Sequence, residues 1–352
     1  MIKYWEQFQN IGFNFKLTQM AKQIDFLAIG DITTDAFIRI KDASVSCDEN
    51  KENCKLCVSF VEKIPYEFVK VVKAVGNSSN AAVCASRLGL SSGLVTDIGG
   101  DLNGKECLGV LKKEGVVTKY VRVHKEMETN YHYVLWYEAE RTILIKHQEY
   151  PYSLPKIKQA PKWIYFSSVA PNSIDYHHEI ADYVRNNKET TKLVFQPGTF
   201  QIKLGAEKLK DLYELTEIFF CNVEEAKKIT GQENSEIKAL LDGIRKLGPK
   251  IVVITDGPKG AYSYDGKEIW FMPMYPDPKA PVSRTGAGDA FSSTFTIALA
   301  LGKSIPEALS WGPINSMSVV QYVGAQEGLL KREKLEEFLK NAPENYKPQK
   351  IS

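Results

Sequence analysis

The sequence predicts an α/β fold: a mostly parallel central sheet flanked by helices, with a small β-sheet lid. Three observations carry this reading. Short apolar runs recur at Phe26–Gly30, Leu94–Gly99, Trp163–Phe166, Leu193–Phe195, Ile218–Cys221 and Ile251–Ile254, as strands buried on both faces read. Segments with helical character lie between them, and repeated βα units imply right-handed crossovers and a binding edge at the strand tips. Residues 119–150 differ. Val121–Val123, Tyr131–Tyr137 and Arg141–Ile145 are β-branched or aromatic runs separated by charged turns, the pattern of an antiparallel sheet.

A chain of 352 residues with 43% hydrophobic and 25% charged residues has ordinary globular composition. A net charge of +2 argues against a nucleic-acid-binding surface spread over the whole protein. Residues 1–22 mix aromatics with charges and contain no continuous apolar core, so they read as an extension, with neither a signal peptide nor a membrane span. Residues 23–340 read as the folded domain and 341–352 as a polar tail. Six cysteines imply no disulfide framework, and a reducing cytoplasm fits.

In chain order, the strand Phe26–Gly30 is followed by Asp31, which reads as a turn residue. Asp35 lies inside an alternating strand over 34–40, where an acid is less expected, and reads as a ligand-binding residue near a strand end. Residues 41–73 form a polar excursion. Within it Cys54-x-x-Cys57 has half of a zinc-site spacing, with Cys47 as a third candidate ligand. With strand 34–40 and residues 119–150, this region would supply the lid, from about 34–75 and 119–150. Gly76-Asn77-Ser78-Ser79-Asn80 then opens an Ala-rich helix, with Asn80 placed as a cap or a hydroxyl reader. A further helix is expected over Gly104–Glu114.

The later strands end in polar tips. Gln196-Pro197-Gly198 follows one, and Asn222-Val223-Glu224-Glu225 another, where Asn222 and Glu225 fit either an N-cap with a capping-box Glu or a hydrated Mg²⁺ site. Thr255-x-Gly257-x-x-Gly260 offers a hydroxyl and bare backbone suited to nucleotide phosphates. Neither a P-loop nor a Gly-x-Gly-x-x-Gly dinucleotide motif is present.

Ser283-Arg284-Thr285-Gly286-Ala287-Gly288-Asp289 runs straight into a helical pattern with apolar positions at Phe291, Phe295, Ala298 and Leu299. A small-residue loop entering a helix leaves N–H groups unpaired and attracts anions. Asp289 there is open to two readings, an N-cap or a carboxylate that takes a proton while charge develops on the neighbouring N–H groups. With the other tips converging on one edge, the second reading combines into phosphoryl transfer to an alcohol, with Glu225 steering Mg²⁺.

These motifs resemble the ribokinase (PfkB) family of sugar and nucleoside kinases over roughly residues 26–330. The resemblance rests on Thr285-Gly286-Ala287-Gly288-Asp289, Gly30 with Asp35, Gly76-x-x-x-Asn80, Asn222-x-x-Glu225 and Thr255-x-Gly257-x-x-Gly260, all in the family's order. It implies a ribokinase-like fold and an ATP-dependent kinase for a small sugar, with a nucleoside kinase, or less favourably a non-catalytic sugar- or nucleotide-binding regulator, as alternatives. Asp289 would be the general base, and Gly286, Ala287 and Gly288 the anion hole. Asp35, Gly76, Asn77 and Asn80 would bind the acceptor. Asn222, Glu225, Thr255, Gly257 and Gly260 would serve ATP and Mg²⁺, and Asn315 would neighbour the adenine. The β lid would form a homodimer contact.

Two departures stand out. Val75-Gly76 occupies the place of a glycine pair. Ser283 replaces an Asp that in relatives helps hold an activating monovalent cation, so the resemblance does not carry K⁺ activation to this chain, and Arg284 is the positive charge offered to the phosphates instead. For the nucleoside alternative, Tyr131, Tyr133, Trp136 and Tyr137 are candidates to stack on a base, although alternation sends only every second one inward.

Overall fold

A computed structural model describes residues 23–48, 54–138, 140–233 and 236–351. The expected extension over 1–22 lies outside them. Sixteen strands are present among the described residues: β1 Phe26–Ile29, β2 Thr33–Ile40, β3 Ser44–Ser46, β4 Lys55–Cys57, β5 Tyr66–Val75, β6 Ser92–Gly99, β7 Val117–His124 and β8 Tyr131–Tyr137 come first. They are followed by β9 Glu140–Leu144, β10 Trp163–Phe166, β11 Lys192–Phe195, β12 Thr216–Asn222, β13 Ile251–Thr255, β14 Ala261–Tyr264, β15 Ile269–Met272 and β16 Gln349–Lys350.

Ten of the strands form one sheet in the order β16-β15-β14-β13-β12-β11-β10-β1-β6-β7. From β7 to β13 every neighbour is parallel, and β14, β15 and β16 add antiparallel strands at one edge. Alternation along β1 explains the layers. Phe26 and Ala28 join the core under helices Asn77–Arg87, Ala287–Ala300 and Ile305–Val319, while Leu27 and Ile29 join the core under Ile174–Asn186 and Ile237–Arg245. Both faces are covered, which is why the parallel strands read as unbroken apolar runs.

The lid is a separate four-stranded sheet in the order β5-β2-β8-β9. Three expectations are corrected here. Residues Val117–His124 belong to the main sheet, as the parallel edge partner of β6. Their β-branched composition suits an edge strand of either sheet, and only long-range pairing decides. The strand over 34–40 pairs with β8 in parallel, so the lid is mixed: only β2–β5 and β8–β9 are antiparallel. The supposed polar tail is docked. Gln349 pairs with Phe271 across β15, and Tyr346 is buried with its hydroxyl donating to the Ser310 carbonyl.

The excursion after β2 holds the β3–β4 hairpin and a disulfide between Cys47 and Cys54, contrary to the reading of all cysteines as reduced. Cys47 and Cys54 are thereby removed as metal ligands, Cys57 is left as an exposed thiol, and among the described residues no three histidine, cysteine or carboxylate side chains are placed so that they could hold a metal ion. No helix among the described residues is long and apolar enough to cross a membrane.

Candidate active site

The carboxyl ends of the parallel strands deliver the polar tips to one edge, and the helix Ala287–Ala300 starts there. Gly286 caps this helix at φ 84°, a left-handed conformation, and a Cβ on it would sit 2.3 Å from the Ala325 Cβ. Glycine is needed for both reasons. The N–H groups of the first helical turn have no intrahelical acceptor, and this turn contains Ala287, Gly288 and Asp289.

Two cavities meet at this loop. One, of about 540 Å³, is lined by Asn222, Thr255, Gly257, Gly260, Arg284, Ala287 and Gly288, with Arg141 reaching in from the lid. The other, of about 260 Å³, is lined by Asp35, Gly76, Asn77, Asn80, Gly286 and Asp289, together with Asp31, His132 and His147. The loop is therefore a shared wall: Ala287 and Gly288 face the larger cavity, and Gly286 and Asp289 face the smaller.

Asp289 is held by three side-chain amides. Its Oδ1 accepts from Asn77 Nδ2 at 2.8 Å and Gln196 Nε2 at 3.1 Å, and its Oδ2 accepts from Asn80 Nδ2 at 2.8 Å. Burial raises its carboxyl above the ordinary range, and the three amides pull the other way. Asn77 and Asn80 lie on the first turn of helix Asn77–Arg87, whose N-cap Gly76 has φ 119° and would drive a Cβ to 2.6 Å from the Asp31 carbonyl oxygen. Gln326 donates to Asn80 Oδ1 at 3.0 Å and so turns the Asn80 amide nitrogen toward Asp289. Neither Gln196 nor Gln326 is a candidate on sequence grounds. Gln196 had a signal, its place on a strand tip; Gln326 had none.

Asp31 is not a turn residue. It is buried, accepts from the Tyr152 hydroxyl at 2.9 Å, and lies 2.9 Å from His147 Nδ1, while burial raises its carboxyl above the ordinary range. Asp35 faces His132, whose Nδ1 is 3.4 Å from Asp35 Oδ1. The lid aromatics do not reach this cavity. Along β8 alternation turns His132 and Val134 inward and leaves Tyr133 exposed, with Tyr131 packed against it at 5.2 Å.

Asn222 lines the larger cavity and Glu225 lines neither; the two form a reciprocal cap, in which Glu225 N donates to Asn222 Oδ1 at 2.8 Å and Asn222 N donates to Glu225 Oε2 at 2.9 Å. Burial raises the Glu225 carboxyl, and the Asp289 charge adds to the rise. Gly260 has φ 110° and abuts the Met272 carbonyl, whereas Gly257 has open space where a Cβ would stand. Asn315 does not face the cavity. It is fully buried, donates to Thr294 Oγ1 at 2.8 Å and accepts from Leu330 N at 2.9 Å. Pro313, Ser316, Met317 and Val320 present the cavity face of that helix, and the helical period turns Asn315 to the opposite side. Ser283 is buried, and its hydroxyl accepts from Thr285 N at 3.3 Å.

Comparison with known proteins places the chain in a family and a fold. The model of the pfkB family of carbohydrate kinases matches residues 44–332. The chain is 26% identical over 327 residues to an ATP-dependent 6-phosphofructokinase of Thermoanaerobacterium thermosaccharolyticum, covering 89% of this chain and 93% of the relative. It is 30% identical over 274 residues to the ribokinase of Bacillus subtilis, covering 75% and 87%. Among solved structures, Arabidopsis thaliana ribokinase complexed with ribose and ATP superposes with a TM-score of 0.72 at 20% identity, over 90% of this chain and 99% of that one. The nucleoside kinase of Methanocaldococcus jannaschii gives 0.71 at 18% identity, over 91% and 99%. The fold is ribokinase-like, and the chain belongs to the pfkB family of carbohydrate kinases, as a phosphotransferase of the sugar or nucleoside kinase kind.

Proposed function

We propose that this protein transfers the γ-phosphoryl group of ATP to a hydroxyl of a small sugar. The observation that carries the proposal is the shared wall: Gly288 opens to one cavity and Asp289 to the other, with one residue step between them. The larger cavity takes the nucleotide, with Thr255, Gly257, Gly260, Asn222 and Arg284 along its phosphates. The smaller takes the acceptor, with Asp35, Gly76, Asn77 and Asn80 around its hydroxyls.

Asp289 accepts the proton of the attacking hydroxyl. Burial makes this carboxylate more basic than usual, so proton transfer is easier, while the three amides keep it ionised and aimed. The N–H groups of the Gly286–Gly288 loop and the helix N-terminus offset charge on the transferring phosphoryl. Holding both reactants against one wall supplies the proximity term.

Mg²⁺ fits the donor chemistry here. It keeps most of its waters and needs one or two carboxylates besides the phosphates. Glu225 is the carboxylate that would hold it: burial and the Asp289 charge raise this carboxyl, and a nearby divalent cation would offset that rise. When bound, the ion would neutralise phosphate charge. Ser283 offers no carboxylate to a monovalent cation, and none is proposed.

A homodimer through the lid is proposed on the exposure of Val69, Val71 and Tyr133, which the β5-β2-β8 register sets on one face, and size-exclusion chromatography would test it. The cytoplasm is the compartment proposed, where the Cys47–Cys54 pair would be kept reduced. ATP and Mg²⁺ with a panel of sugars and nucleosides, following ADP release, tests the activity. The Asp289→Asn variant is expected to lose roughly 10²–10⁴-fold in kcat. Turnover near that of the unmodified protein ends the assignment of the base. Turnover of adenosine or cytidine but of no free sugar moves the acceptor to the nucleoside reading.

A further inference from the structure

The smaller cavity holds more chemistry than the proposed transfer uses. Asp31, Asp35 and Asp289 bring three carboxylates to its wall, and His132 and His147 bring two imidazoles. Each imidazole faces one carboxylate, His147 toward Asp31 and His132 toward Asp35, and the two ring centroids are 5.2 Å apart. No lysine or arginine is among the residues lining this cavity, whereas Arg141 and Arg284 line the larger one.

His132 and Asp35 are the incomplete pair. Each residue is 8% exposed, and both His132 Nε2 and Asp35 Oδ1 are buried without a hydrogen-bond partner. Thr285 Oγ1 is a third such atom among the lining residues; buried polar atoms are satisfied in nearly all native structures, so these mark groups that a ligand completes. The 3.4 Å approach of His132 Nδ1 to Asp35 Oδ1 lacks hydrogen-bond geometry but favours the proton on Nδ1, which leaves Nε2 a lone pair.

We infer that the smaller cavity takes an uncharged polyhydroxy acceptor, and that His132 is a specificity residue reading one of its hydroxyls beside the one held by Asp35. This deepens the kinase reading and rests on it. A sugar hydroxyl both donates and accepts, so one hydroxyl donates to Asp35 and a neighbour donates to His132 Nε2. A phosphate or carboxylate on the acceptor would instead meet three carboxylates with no lysine or arginine on the wall to offset it. The inference separates this chain from any relative whose acceptor is already phosphorylated.

The test compares D-ribose and adenosine with D-ribose 5-phosphate and D-fructose 6-phosphate as acceptors, with ATP and Mg²⁺. The best uncharged acceptor is expected to exceed both charged ones by about 100-fold or more in kcat/KM. A charged acceptor that matches or exceeds it overturns the inference and leaves the kinase reading intact. If nothing turns over, the kinase reading fails, and calorimetric binding of the same four compounds decides: binding of the uncharged ones alone upholds the cavity assignment, and binding of a charged one, or of none, overturns it.

For His132, the His132→Phe substitution is expected to raise KM for the preferred uncharged acceptor roughly 10–100-fold with KM for ATP unchanged. That loss should vanish against the one monodeoxy analogue lacking the hydroxyl that His132 reads, and His132→Gln should restore part of it. An equal loss on every deoxy analogue, or a matching rise in KM for ATP, overturns the role. Should His132→Phe fail to fold, the His132→Gln variant against the same deoxy series gives the same readout.

Discussion

Two glycines of the loop, Gly286 and Gly288, should respond oppositely to the same added methyl group. At Gly286 the backbone has φ 84°, and a new Cβ would lie 2.3 Å from the Ala325 Cβ and 2.6 Å from its Cα. The left-handed backbone costs an alanine about 1–2 kcal/mol, and overpacking adds about 1–3 kcal/mol, since the obstruction includes backbone that cannot swing aside. Gly286→Ala is therefore expected to destabilise by roughly 2–5 kcal/mol. At Gly288 φ lies outside the left-handed range and nothing stands within 4 Å of the added Cβ, so Gly288→Ala should be neutral or stabilising by up to about 1 kcal/mol. Gly288 nevertheless faces the larger cavity, where its methyl would stand against the phosphates, so KM for ATP should rise although stability does not fall. Urea unfolding of both variants, paired with ADP-release kinetics, measures the two effects. Equal stability loss in both, or unchanged ATP kinetics in Gly288→Ala, would refute the division of the loop between the cavities.

Three further outcomes follow from the same structure. Because Asp289 must be ionised to act and burial raises its carboxyl, kcat/KM should fall as pH drops through an apparent pKa above the ordinary carboxylate value of about 4, and an acid limb at or below that value would contradict the buried base. Asn315→Ala strips partners from Thr294 and from the Leu330 N–H, so it should cost roughly 1–3 kcal/mol in urea unfolding while leaving KM for ATP unchanged; a selective rise in that KM would return Asn315 to the adenine. Deleting residues 345–352 removes the buried Tyr346, packed 4.8 Å from Tyr275, and should lower stability by about 3–5 kcal/mol, whereas an unchanged denaturation midpoint would make the segment the tail its composition resembles.

The loop at 283–289 was legible in sequence because its message is local: small residues, then an acid, then a helical period. The same holds for the strand tips at Asn222–Glu225 and Thr255–Gly260. The antiparallel edge β14–β15 carries a local hairpin signal of its own, Tyr264-Asp265-Gly266 between alternating aromatic runs. Asp31 reads as a turn residue because an acid after a strand and its glycine usually is one, and nothing near it in the chain announces His147 or Tyr152. Asn315 failed for a geometric reason, since a helical face is set by the rotation of the whole helix against its neighbours.

By itself, the sequence determined the buried parallel strands β1, β6 and β10 to β13 and the lid strands β2, β8 and β9, which loops are bare enough for an anion, and that a carboxylate sits beside one of them. Periodicity and glycine placement are properties of a few adjacent residues, so they survive without a fold. The tertiary structure decided which side chains meet: Asp31 with His147 across 116 positions, Asp289 with Gln196 across 93, and Arg141 of the lid at the same cavity as Thr255. Those meetings depend on strand order and crossover, which place residues side by side without leaving a mark on their neighbours in the chain. The same packing turned Asp289 from an acid at a helix start into a carboxylate held by three amides on the wall between two cavities.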